Sequence, residues 1–203
     1  LQIGQRITLP RHTAHRFVGQ HIETEGCVDA EVPKWQDDAW YWRKEATDWG
    51  WDWAPPETKH LHPKYSPVYR YARDLIGCLN NWVDGWVDWN MVLDRQGGPN
   101  WFGNWCVAPV IVDPEADEVY FTPLYHTMAH FSKYIRPGAQ RIGFDLADEE
   151  LMATAVQNPD GSLAVVVLNQ TTRGRSLTVS LGKQTTHLQI SPQAIQTIVF
   201  SKR

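Results

Sequence analysis

The chain changes character at Pro137-Gly138, and that change constrains its fold more than any other feature. Before it, apolar residues recur at helical spacing between strand-like runs. Tyr69, Ala72, Ile76, Leu79 and Val83 repeat at three and four, with Pro67 suited to a first turn. Leu124, Met128, Phe131 and Ile135 mark a second helix. Short runs at about Gln20–Thr24 and over Gly85–Asp94 read as strands, and VAPVIVD is short and apolar. After Pro137-Gly138 the runs are short and punctuated by turns: Arg141–Phe144, Met152–Gln157, Leu163–Asn169, Ser176–Ser180, His187–Ile190 and Thr197–Phe200. Asn158-Pro159-Asp160-Gly161 is such a turn. That tail predicts an antiparallel sandwich.

Tryptophan divides the chain the same way. All eleven lie between Trp35 and Trp105, and none in the final stretch. Residues 29–64 hold six of them with APP and HPKYSP breakers, which predicts an ordered loop with a short helix near Asp37–Ala46. Three expectations follow for organisation: 1–20 an uncertain leader without periodicity, 21–137 a barrel-type α/β region, and 138–203 a β-sandwich.

The strand–loop–helix order, with polar residues at strand ends, is that of the last two strands and helices of a (β/α)8 TIM barrel. Catalytic groups in that fold sit at the C-terminal ends of strands. Glu25 ends one strand, and Asp88, Trp89 and Asn90 lie at or near the end of the next. Flat indole faces and carboxylates together suit a carbohydrate site. Asp88 reads as a supporting group. Glu23, two residues before Glu25, is a weaker candidate on the same side of a strand.

Bulk properties exclude other classes. Net charge is −4 and basic residues form no run, so phosphate-driven nucleic-acid binding is not expected. No apolar segment approaches the roughly 20 residues of a bilayer span. Cys27, Cys78 and Cys106 are too sparse for a disulfide framework or a paired-cysteine metal site. His60 and His62, near Asp52 and Glu57, have no specific metal spacing and read as loop residues. No cofactor or metal is expected. No signal peptide is visible, and location stays open, with a secreted or periplasmic site among the options.

Several blocks carry a family resemblance: Thr24-Glu25-Gly26-Cys27, NWVDGWVDWN over 81–90, GGPNW over 97–101 with Asn104, APVIVD over 108–113, HFSKYI over 130–135 and NPDGS over 158–162. In this order they resemble glycoside hydrolase family 30, whose best-known members are glucosylceramidases (acid β-glucosidases). The resemblance spans about residues 21 to 200 and leaves 1–20 aside. It implies a retaining β-glycosidase with a barrel and an attached β-sandwich. It makes Glu25 the nucleophile, places Trp89 and Asn104 against the sugar, and sets Cys27 at the pocket edge. A β-linked glucoside or glucan is the implied substrate.

One departure qualifies this. The family's general acid lies in an Asn-Glu block upstream, and no Asn-Glu dipeptide occurs here. The expectation is therefore a C-terminal portion whose missing N-terminal barrel portion supplies that acid. Alternatives of substrate are a β-1,6-glucan or a β-xyloside, and the Trp-rich stretch 29–64 favours a glucan over a sphingolipid. From another class, a non-catalytic carbohydrate-binding fragment would use the same tryptophans, and an unstable truncated product is a third reading.

Overall fold

The computed structural model describes residues 5–9, 22–24, 66–88, 90–94, 98–99 and 108–201. The expected helix near Asp37–Ala46 lies outside them. Among the described residues the strands are β1 (Gln5–Leu9), β2 (Ile22–Thr24), β3 (Gly85–Val87), β4 (Val92–Asp94), β5 (Val110–Asp113), β6 (Glu118–Phe121), β7 (Gln140–Arg141), β8 (Asp145–Leu146), β9 (Leu151–Gln157), β10 (Leu163–Asn169), β11 (Arg175–Leu181), β12 (Gln184–Ile190) and β13 (Ala194–Phe200). The helices are α1 (Ser66–Asn80) and α2 (Pro123–Ser132).

The chain divides into two compact units: residues 1–22, 75–85 and 129–203 form one, and residues 23–74 and 86–128 the other. The first unit is a β-sandwich. Its sheets run β12-β11-β1-β8 and β13-β10-β9-β7. Alternate residues face inward, so Leu151, Ala153 and Ala155 of β9 meet Leu163, Val165 and Val167 of β10, Leu177 and Val179 of β11, and Ile190 of β12 in one cluster. Each leucine, valine or isoleucine among them contributes about 1.5–3 kcal/mol on burial. The intervening β10 residues Ala164, Val166 and Leu168 are buried as well. Burial on both faces explains why this strand reads as an unbroken apolar run. On the outer face, His130 at the end of α2 and Thr197 of β13 lie 2.9 Å apart, Nδ1 to Oγ1.

Asn158 ties the loop after α2 to the β9–β10 turn. Its Oδ1 accepts from the Arg136 amide at 3.0 Å, and its Nδ2 donates to the Tyr134 carbonyl at 2.9 Å and to Ser162 Oγ at 3.1 Å. It is 6% exposed, so these bonds replace water rather than supplement it.

In the second unit, β4, β5 and β6 form a three-stranded sheet, parallel between β4 and β5 and antiparallel between β5 and β6. Leu93, Ile111 and Tyr120 sit in register across it and pack with Ala108. Helix α1 has residues in both units; of its expected face, Ala72 in the second unit and Ile76 in the first are fully buried, as are Tyr71 and Leu75 beside them in sequence.

Four features differ from the sequence reading. The single strand anticipated over 85–94 is two strands in different sheets, β3 and β4, parted by residues 88–91. Alternating apolar residues run through both, so the pattern alone conceals the break. Strand β6 follows an acidic turn, and β8 is two residues long; both are too short for a periodic signal. Strand β1, in the stretch read as a leader, lies between β11 and β8 and runs parallel to β11, an exception to an otherwise antiparallel sandwich.

Candidate active site

Strand β2 ends at Thr24, immediately before Glu25 in sequence, and pairs with β3 in a two-stranded sheet. Strand β3 leads into Asp88, Trp89 and Asn90. The strand reading of Gln20–Thr24 therefore has its counterpart in β2, with the pairing partner that the next strand supplies. Glu25, Cys27, Trp89 and Asn104 all lie outside the described residues, as do Glu23's side chain and the loop histidines His60 and His62.

Trp86 and Asp88, just before Trp89 in sequence, are held against α1. Tyr71 and Asp74 are one helical turn apart on α1, a spacing that puts them on one face. Trp86 and Asp88 are two residues apart, the spacing that puts strand side chains on one side. The Tyr71 hydroxyl donates to Asp88 Oδ2. Trp86 Nε1 donates to Asp74 Oδ2 at 2.5 Å. The Tyr71 and Trp86 rings meet edge to face, with centroids 5.3 Å apart and planes at 65°. Two charge-assisted bonds and one aromatic contact thus fix β3 and the residue after it against α1. Asp88 is thus hydrogen-bonded to α1. Tyr71 and Asp74 were not anticipated; their signal is a polar group on the same turn as a buried aromatic.

The described residues on either side of Asn104 in sequence are held by hydrogen bonds. Before it, the Gly98 amide donates to Asp94 Oδ1 at 2.8 Å, and the Asp94 amide returns a bond to the Gly98 carbonyl at 2.7 Å. The Gly98–Pro99 peptide is cis. After it, Thr122 Oγ1 reaches the carbonyls of Ala108 and Pro109, each at 2.9 Å. Thr122 is 1% exposed and directly precedes Pro123, the first residue of α2, where a missing amide costs nothing. Among the described residues no group of three or more His, Cys, Asp or Glu could hold a metal, and no helix is long and apolar enough to cross a membrane.

Comparison with known proteins decides the family. The Glycosyl hydrolase family 30 TIM-barrel domain matches residues 57–135, and the Glycosyl hydrolase family 30 beta sandwich domain matches residues 138–198. Together they account for well over half of the chain. The chain belongs to glycoside hydrolase family 30. Its fold is accordingly part of a TIM barrel followed by a β-sandwich, as the strand–helix order and the all-β tail predict.

Family-30 relatives include Putative glucosylceramidase 4 of Caenorhabditis elegans, 44% identical over 108 residues, covering 52% of this chain and 21% of that protein. Lysosomal acid glucosylceramidase of Mus musculus is 40% identical over 112 residues, covering 55% of this chain and 22% of that protein. Among solved structures, SrfJ from Salmonella typhimurium superposes with a TM-score of 0.66 at 30% identity, covering 68% of this chain and 31% of the other. The endo-beta1,6-glucanase BT3312 gives 0.60 at 28% identity, covering 66% and 31%. The chain spans about a fifth of the length of these curated relatives.

Proposed function

We propose that this chain contributes the nucleophile and sugar-contacting residues of a retaining β-glycosidase that acts on β-glucosides of the glucosylceramide type. The observation that carries the reading is the pairing of β2 with β3 in a family-30 chain. It makes the strand that stops before Glu25 a neighbour of the strand that leads to Asp88-Trp89-Asn90.

In a retaining mechanism Glu25 stays ionised and attacks the anomeric carbon. The glycosidic C–O bond breaks, and the leaving oxygen takes a proton from a second carboxyl about 5 Å away. Water, deprotonated by that second group, then attacks the glycosyl-enzyme, and Glu25 departs as carboxylate. Trp89 offers the sugar ring an apolar face. Asn104 hydrogen-bonds hydroxyls whose contacts tighten as the ring distorts. Fixing Asp88 against α1 restricts the backbone that presents Trp89, which suits a group that must orient substrate. The family's Asn-Glu block has no counterpart in these residues, so the proposal assigns this chain no proton donor.

A second substrate reading, an endo-acting hydrolase of β-1,6-glucan, is favoured by the likeness to BT3312. The tryptophans between 35 and 53 would then serve an extended sugar chain.

The test is Glu25→Gln in the full-length protein, assayed on 4-nitrophenyl β-glucoside. Turnover should fall to background, while retained turnover would remove Glu25 from the reaction. Release of glucose from glucosylceramide micelles against release of oligosaccharides from β-1,6-glucan then separates the two substrates.

A further inference from the structure

A cleft of about 760 Å3 opens in the sandwich unit between the turn after α1 and the loop joining α2 to β7. Its apolar lining includes Leu79, Ile135 and Val156, and Asp84, Arg136 and Gln140 add polar groups. Trp82 and Arg141 also line it. The Arg141 guanidinium lies over the Trp82 ring, 5.1 Å from its centroid, and Arg141 Nε donates to Asn80 Oδ1 at 3.5 Å. Indole and guanidinium together form a wall with an apolar surface and N–H donors along its edge.

The backbone at Trp82 is a second, independent observation. The Val83 amide bonds to the Cys78 carbonyl at 3.0 Å, so α1 closes in a Schellman turn. Trp82 occupies the left-handed position of that turn, with φ 68°. Glycine is usual there, because any Cβ meets the following carbonyl. A bulky aromatic in this conformation is an outlier that the turn itself does not need. Strain held at a cleft wall points to a use for the side chain.

We propose that this cleft is a second sugar-binding site, taking residues of a β-linked glucan chain, with Trp82 as its platform. A concave site of this size, part apolar with a few converging polar groups, matches what sugar rings present: C–H faces and hydroxyl edges. Trp82 and Asp84 precede β3 in the chain, whereas Asp88, Trp89 and Asn90 follow it, so the cleft uses none of the residues assigned to hydrolysis. The choice of a β-glucan rests on the β-1,6-glucan reading of the substrate; the cleft and its strained tryptophan do not.

Trp82→Gly provides the test, because glycine removes the platform and suits the turn better than tryptophan does. The full-length protein is run on native gels with and without soluble β-1,6-glucan, and gentiobiose is titrated by calorimetry. Wild type should be retarded by the glucan, and Trp82→Gly should bind at least about tenfold more weakly. Its melting temperature should hold or rise, and its kcat/KM on 4-nitrophenyl β-glucoside should not change. Equal retardation of the two proteins, or no retardation of wild type, overturns the inference. The same gels run with Glu25→Gln keep the questions apart, since loss of turnover with undiminished retardation concerns Glu25 alone.

Discussion

The hydroxyl of Tyr71 donates to the carboxylate of Asp88, 17 residues further along the chain, across the junction of α1 and β3. This bond and its neighbour from Trp86 to Asp74 decide where the backbone before Trp89 runs. Tyr71→Phe keeps the ring contact with Trp86 and deletes only the hydroxyl. It should lower stability by about 1.5–3 kcal/mol, the range for hydrogen bonds to charged groups. Urea denaturation of Tyr71→Phe, Asp88→Asn and the double variant should give a coupling energy of at least about 0.5 kcal/mol. Additive losses would mean that the two side chains do not act together.

The sugar-contact assignments predict a split in kinetics. Asn104→Ala in the full-length protein should lower kcat/KM for 4-nitrophenyl β-glucoside by roughly 10- to 100-fold, the equivalent of one lost polar contact. If the contact tightens in the transition state, kcat carries the loss and KM changes little. Trp89→Ala should instead raise KM, because a stacking face binds ground and transition states alike.

Sandwich stability should depend on its inner faces. Leu177 is 1% exposed within the main cluster, and Leu177→Ala should cost about 2–5 kcal/mol. Val199, 45% exposed on β13, should tolerate alanine within about 0.5 kcal/mol. Denaturation midpoints with unchanged slopes would check both.

Asn158 should be a sensitive polar residue of the sandwich unit. Asn158→Leu leaves the Arg136 amide and the Tyr134 carbonyl without their partner at a buried site. A loss of about 2–3 kcal/mol is expected. Asn158→Asp restores the acceptor and not the donors, so it should fall between wild type and the leucine variant.

Two residues on, Asp160 supplies a pH signature. Hydrogen bonds from the Ser162 hydroxyl and amide hold its carboxyl below the usual 3.8. The sign follows from the lowered folded value: the turn is stabilised above pH 3.8, and the gain is lost as pH falls through the folded pKa. A carbon-detected titration of Asp160 should show a midpoint below 3.8, moving towards it in Ser162→Ala.

The legibility of this chain in its sequence followed the range of the interactions involved. Strand β10 was plain because six consecutive apolar residues, Leu163 to Leu168, are set off by Gly161 and Ser162, and burial on both faces favours that composition. Helix α1 was plain because Ala72 and Ile76, both buried, recur at helical spacing. The break between β3 and β4 was hidden, since Trp86, Val87, Val92 and Leu93 fit one alternating run while their partners lie in two sheets. Strand β1 could not be found locally, because its five residues become a strand only through β11 and β8. In the candidate site, Glu25, Cys27, Trp89 and Asn104 are proposed from motifs, a signal carried by residue order. The Tyr71–Asp88 and Asp74–Trp86 crossings were not legible, because neither partner belongs to a pattern until α1 and β3 are packed.

Strand β1 has a kinetic consequence. Gln5 pairs with Leu177, so the order of synthesis and the order of assembly are opposed. Residues near the start must wait in an unfinished state until β11 has been made. Joining them closes a loop of roughly 170 residues, an entropic cost of about 4–5 kcal/mol before any ladder bond forms. Strand β8, whose described partner is β1, can join only afterwards. Refolding should therefore show a late phase that protects the β1 and β8 amides together, after those of β9 and β10 have stopped exchanging. The last part of this sandwich to form is built from residues that precede all its other strands in sequence.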